Sequence, residues 1–180
     1  ATNAGGIRVI RYGNTREWTA GLKVVTGAGD VLELNRALIK NSSGYDLRQL
    51  MIGSEGTLGI VVEATLRLTD PPPPTNVMLL ALPSFETLMQ VFAAFRERLT
   101  LEAFEFFTDR ALHHVLAHGA QKPFDEVHPF YVVTEFAVGS DAQEAAAMAA
   151  FEHCLENALV SDGVISQSDA QAAQLWRLRE

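Results

Sequence analysis

The chain has 180 residues, 48% hydrophobic and 20% charged, with a formal net charge of −8. That composition is globular and excludes disorder as the main reading. The acidic balance argues against nucleic acid as a partner. No run of about 18 apolar residues is present, so no transmembrane segment is expected. The single cysteine, Cys154, excludes an intrachain disulfide and fits a reducing, cytoplasmic compartment. The chain opens on Ala1-Thr2-Asn3 and stops in "LWRLRE", inside a helical pattern. Both ends read as cut, so an internal fragment of a longer protein is expected.

In chain order, "GGIRVIRYG" reads as a short helix or turn opened by Gly5 and Gly6. "LKVVTGAGDVLEL" reads as a hairpin, with Leu22, Val24 and Val25 before a Gly-Ala-Gly turn and Val31, Leu32 and Leu34 after it. "RALIK" and "DLRQLMI" read as short helical pieces around the turn "NSSGY". "GIVVEATLRL" reads as a strand, and strict alternation puts Val62, Ala64, Leu66 and Leu68 on the core side. "DPPPP", residues 70–74, then marks a junction, because consecutive prolines cannot donate to a ladder and favour an extended linker. The charge changes at the same place. Residues 1–69 carry eight Lys/Arg and six Asp/Glu, whereas residues 70–180 carry six and sixteen. The domain reading is therefore 1–69, a linker at 70–76, and 77–180, with the basic first unit better suited to an anionic ligand.

After the prolines, "NVMLLAL" is predicted as a strand. A helix over 84–99 follows, with Ser84 as N-cap and Phe85, Leu88, Met89, Phe92, Phe95 and Leu99 on one stripe. Next come a strand "EAFEFF", a helix "DRALHHVLAH" closed by Gly119, a strand "FYVVTEF", an alanine-rich helix from Asp141, a strand "GVISQS" and a last helix after Asp169. The order β-α-β-(α)-β-α-β predicts a ferredoxin-like α+β unit, an antiparallel sheet with helices on one face.

Three glycines spaced by three, Gly53, Gly56 and Gly59, and a bare carboxylate, Glu55, stand at the mouth of the strand after "MIGSEGTLGI". Glycine lets backbone approach a ligand closely. On residues alone a tight turn into a core strand explains the pattern at least as well. It is not the dinucleotide pattern G-x-G-x-x-G, which opens a helix after a strand. "ATNAGG" is similarly ambiguous, since a helix-capping turn accounts for it. His114 and His118 are spaced to share a helix face, but with no third ligand in view surface histidines are the better reading. His128 reads as a loop residue, and Cys154 as a buried, inert thiol.

Taken together, "ATNAGGIRVIRYGNTREW", "GLKVVTGAGDVL" and "IKNSSGYDLRQLMIGSEGTLGIVVEATLRL" resemble the second half of the flavin domain of the vanillyl-alcohol-oxidase-like (PCMH-type) FAD oxidoreductases. The nearest branch is that of the D-lactate, glycolate and D-2-hydroxyglutarate dehydrogenases. "LEAFEFFTDRALHHVLAH", "VHPFYVVTEF" and "VISQSDAQAAQLWRLRE" resemble that family's cap domain. The resemblance implies the C-terminal part of a PCMH-type FAD-binding domain followed by a ferredoxin-like cap. It implies that Thr2, Asn3, Gly5 and Gly6 meet the flavin and nearby cofactor atoms. It implies that Glu55, Gly56, Gly59, Ile60 and Val61 meet FAD largely through backbone, and that Arg179 binds the substrate carboxylate.

The implied reaction is oxidation of a 2-hydroxy acid to the 2-oxo acid. Hydride leaves C2 for the flavin, and a base takes the hydroxyl proton. No base can be named within 1–180, and no metal ligand is assigned. The family's pyrophosphate-cradling glycine loop lies outside these residues, so the resemblance implies that this stretch alone holds FAD poorly or not at all. The partners expected are a small 2-hydroxy acid, a separate electron acceptor and, as an assembly, a second copy in a homodimer. The rival readings are glycolate or D-lactate as substrate and, for 70–180 alone, a non-catalytic ferredoxin-like interaction module.

Overall fold

The computed structural model describes residues 1–35 and 38–179, and the chain divides into two compact units, Ala1–Pro71 and Pro72–Glu180. In the first, two four-residue helices, α1 (Val9–Tyr12) and α2 (Thr15–Trp18), follow the opening glycines. The expected hairpin is β1 (Thr19–Val25) and β2 (Val31–Leu34), closed by Thr26 N donating to Asp30 O at 2.9 Å. The short helix α3 (Leu47–Met51) is capped by Asp46, whose carboxylate accepts from Arg48 N. The strand β3 (Ile60–Leu66) completes an antiparallel sheet of order β2-β1-β3. The helical piece expected over 36–40 lies partly outside the described residues, and 38–40 are not helical.

The face expected for β3 is corrected by a bulge. Val24 pairs with Val61, but Lys23 pairs with Glu63, so Val62 is an extra residue between two registers. A one-residue slip moves side chains to the opposite face. Val61 therefore packs on the small core of Leu22, Val24, Met51 and Ile52. Val62 turns outward, whereas Ala64, opposite Leu22, keeps the expected face; Ala64, Leu66 and Leu68 are exposed all the same, Leu68 at 93%. Beside that core, the buried Arg48 guanidinium donates to Thr19 O at 2.7 Å and Ala20 O at 2.9 Å, and pairs with Asp46 at 2.6 Å. That pairing holds the Asp46 carboxyl below its usual value.

The second unit is built on β4 (Thr75–Leu82), β5 (Leu101–Thr108), β6 (Phe130–Ala137) and β7 (Asp162–Ile165). All pairings are antiparallel, in the order β5-β6-β4-β7. The unit's first and third strands are adjacent at the centre and its second and fourth form the edges, as the ferredoxin-like α+β reading requires. Strand β4 begins at Thr75, inside the span read as linker.

On one face of this sheet Met78, Leu80, Leu82, Val132 and Phe136 pack under α4 (Leu88–Arg98) and α6 (Asp141–Glu156). The small residues Ala147, Ala150 and Cys154 line the buried side of α6. The expectation of helices on one face is corrected. Val77, Leu79, Ala81, Phe107, Tyr131 and Val133 form a second core, covered by Leu112 of α5 (Asp109–Ala117), by Phe124, and by α7 (Asp169–Trp176) with Leu178 beyond it. The cause lies in β4, whose residues 77–82 are a continuous apolar run, and such a strand needs cover on both sides.

The helix read from Ser84 also starts differently. Ser84 makes no capping bond to the helix, and a 3-10 turn, Phe85–Thr87, comes before α4. The buried side becomes Leu88, Val91, Ala94 and Phe95, while Phe85 and Met89 are exposed. The expected close of α5 at Gly119 is present, with φ +92° and its N–H donating to Leu116 O.

Candidate functional site

The two glycine-rich corners come together within the first unit. Ala1 O accepts from Gly53 N at 2.8 Å and from Glu55 N at 3.1 Å, which lays the start of the chain along the turn before β3. Asn3 Oδ1 accepts from Arg16 N at 2.9 Å. Ala4 O accepts from both the amide and the hydroxyl of Thr15, at 3.1 and 2.8 Å. The Arg16 guanidinium donates to Gln49 O at 2.6 Å, Gln49 Oε1 at 3.0 Å and Ile52 O at 2.6 Å. Asn3 and Glu55 both have left-handed backbone, φ +54° and +52°. For a residue with a side chain such a conformation costs about 1–2 kcal/mol, and retained strain of this kind clusters at functional positions.

The candidate cofactor residues divide by what their backbone meets. A Cβ on Gly5 would stand 2.6 Å from Val9 Cγ2, and one on Gly59 would stand 2.7 Å from Val25 O and from Val24 Cγ1. Glycine at those two positions is required by the chain's own packing. Gly6 and Gly56 have no atom within 4 Å of their Cβ positions, so their backbones face open space. Thr2 and Glu55 are exposed, Asn3 is half-buried, and Ile60 is 68% exposed. Val61 turns its side chain into the core, which leaves only its peptide groups for a ligand. Open backbone at two glycines with few side chains in the way fits a flat polar group such as a flavin nucleotide.

In the second unit Arg179 lies in the turn after α7, its N–H donating to Trp176 O at 2.9 Å. Its guanidinium pairs with Glu105 of β5 at 3.1 Å while remaining 43% exposed. A substrate carboxylate would compete with Glu105 for that group. A separate cleft of about 450 Å³ runs between the 119–123 loop, β7 and α7; Lys122 and Arg177 are among its lining residues, with Gln167, Gln171 and Gln174.

His118 Nδ1 lies 2.7 Å from His114 O, and both histidines are exposed. Among the described residues no group of three His, Cys, Asp or Glu could hold a metal. His128 is in a loop, as read, but it is buried edge-on against Phe124 and Tyr131, and its N–H donates to the Tyr131 hydroxyl. Cys154 is fully buried, and burial pushes its thiol pKa up. Sequence reading did not single out Arg16, Lys122 or Arg177. Nothing in their spacing distinguishes them from solvated cations, and only the folded chain brings Arg16 to both corners. No helix among the described residues is long and apolar enough to cross a membrane.

D-2-hydroxyglutarate dehydrogenase of Xanthomonas citri pv. viticola is 85% identical over 180 residues, covering 100% of this chain and 38% of the relative. That of Stutzerimonas stutzeri is 56% identical over 180 residues, covering 99% of this chain and 39% of the relative. The mitochondrial enzyme of Bos taurus is 40% identical over 184 residues, covering 100% of this chain and 34% of the relative. The chain thus spans well under half the length of each. Among solved structures, an alkyldihydroxyacetonephosphate synthase aligns with TM-score 0.68 at 18% identity, over 99% of this chain and 35% of that one. A p-cresol methylhydroxylase aligns with TM-score 0.62 at 12% identity, over 91% of this chain and 37% of that one. These two share the fold. The C-terminal domain of the FAD linked oxidases matches residues 71–180, and the chain belongs to that family.

Proposed function

We propose that this chain is part of an FAD-dependent 2-hydroxyacid dehydrogenase that oxidises a D-2-hydroxy acid of the D-2-hydroxyglutarate kind to its 2-oxo acid. The observation that carries the reading is the joining of the two glycine corners through Ala1 O, with Gly6 and Gly56 left open beside it. The names of the relatives at 85, 56 and 40% identity support the substrate class. When bound, FAD supplies the hydride acceptor. Thr2, Asn3, Gly6, Glu55 and Gly56, with the peptide groups of Gly5, Gly59, Ile60 and Val61, hold it. Arg179 draws in the substrate carboxylate, its planar fork suited to two-point contact, and releases Glu105 as it does so. Residues 1–69 contribute the later part of the FAD domain, 70–74 the connection, and the stretch from β4 at Thr75 to residue 180 the earlier part of the cap. Electrons pass to a separate acceptor, the enzyme works in the cytoplasm, and it assembles as a homodimer.

The test uses the full-length gene product that contains this chain. It is expected to show a flavin absorbance spectrum, and anaerobic D-2-hydroxyglutarate is expected to bleach that spectrum faster than D-lactate or glycolate. A colourless protein that takes up no added FAD would refute the reading. Faster bleaching by D-lactate or glycolate would reassign the substrate.

A further inference from the structure

We propose that Arg16 is the positioning residue that locks the two glycine corners together and thereby sets how tightly the flavin nucleotide is held; this rests on the FAD reading above. Its main-chain N–H meets Asn3 Oδ1 in the first corner. Its guanidinium meets Gln49 O and Ile52 O, immediately before the second. Those carbonyls belong to the C-terminal turn of α3, where helix carbonyls lack intrahelical partners and a cation is favoured. One planar fork answers both carbonyls and the Gln49 side chain, which a lysine ammonium cannot do from a single point.

Gly53 packs beside both groups: a Cβ there would stand in ordinary contact, 3.4 Å from Arg16 Nη2 and 3.6 Å from Asn3 Cβ, so it is the φ of +88°, and not the space, that calls for glycine. Arg16 thus touches both corners while leaving the open backbone of Gly6 and Gly56 to a ligand. Arg48 is the natural contrast. It is the more buried arginine of the same unit, and it donates to Thr19 O, Ala20 O and Asp46, none of them in either corner.

The experiment compares Arg16→Ala, Arg16→Lys and Arg48→Ala in the full-length gene product. Two quantities are read: the FAD dissociation constant, from titration of the apoprotein, and the apoprotein's urea midpoint. Arg16→Ala is expected to weaken FAD binding roughly ten- to hundredfold, the size expected when charge-assisted hydrogen bonds that hold a binding surface are lost. Arg16→Lys should recover part of that loss. Arg48→Ala should lower the urea midpoint more than Arg16→Ala while weakening FAD binding less. A wild-type dissociation constant in Arg16→Ala overturns the proposal, as does FAD affinity that simply follows the urea midpoint across the three variants. If the unsubstituted protein takes up no FAD, both this proposal and the functional reading fall; if it binds FAD and Arg16→Ala binds equally well, only this one does.

Discussion

Among the described residues, the buried apolar cluster of the first unit is four side chains, Leu22, Val24, Met51 and Ile52. The described residues of the second unit bury fifteen on one face of its sheet and nine on the other. What the first unit lacks in packing it replaces with directional bonds: Arg16 to two main-chain carbonyls, Arg48 to two more, and Ala1 O to two amides. Packing in bulk keeps a sheet rigid whatever touches it. A corner held by a few hydrogen bonds keeps its backbone available, and sites of binding are drawn from such lightly packed regions. The contrast is in keeping with the proposed cofactor site in the first unit, while the second is the more heavily packed scaffold and carries Arg179.

The largest expected difference is in local opening. Amides of β4 and β6 should exchange with deuterium at least about a hundredfold more slowly than those of β1 and β3, and a protease should cut residues 1–69 before 77–180. Equal resistance of the two would break the comparison. Next, Phe95→Ala, at a fully buried position, should cost the second unit about 3–5 kcal/mol in urea unfolding, since a ring-sized cavity cannot collapse between sheet and helices. In the first unit Gly59→Ala should cost about 2 kcal/mol, because the added methyl meets the fixed Val25 carbonyl as well as the Val24 side chain.

Ala158, just past α6, has φ +55°, so Ala158→Gly should stabilise the second unit by about 0.5–1 kcal/mol, the relief of left-handed strain less the added freedom of the unfolded chain. The smallest effect is at Asp46. Its carboxyl is held below its ordinary 3.8, first by the side-chain hydrogen bond from Arg48. The stabilisation is therefore complete above that ordinary value and disappears as pH falls through the lowered one. Because the group is partly solvated, Asp46→Asn should lower stability by less than about 1 kcal/mol near pH 6, and the difference should shrink as the pH falls below 3.8. A gap that persists in acid would show that the arginine pairing is not its source.

Much of the second unit is legible in the sequence because its signals are local. Apolar runs such as 77–82 and the breaks at Gly119 and the prolines need no knowledge of neighbours. The glycine corners are legible as unusual, and their joint likeness to a flavin domain points to one ligand. What could not be read is which glycine serves packing and which serves a site. Gly59 and Gly56 look alike in the string, yet one abuts β1 and the other faces open space. The bulge at Val62 is equally silent, since alternation carries no mark of an inserted residue. Arg179 illustrates the same limit, because its partner Glu105 lies on a strand far away along the chain.

By itself, then, the order of residues determined where strands and helices form, that the chain changes character at the prolines, and that two corners are rich in glycine. Those properties depend on neighbours along the backbone, within a turn or two. Only the tertiary structure decided that both faces of the second sheet are covered, that Val61 and not Val62 points inward, and that Arg16 ties the corners to one another. Each of these depends on which distant groups arrive within hydrogen-bond or van der Waals range, and that distance is set by the whole fold.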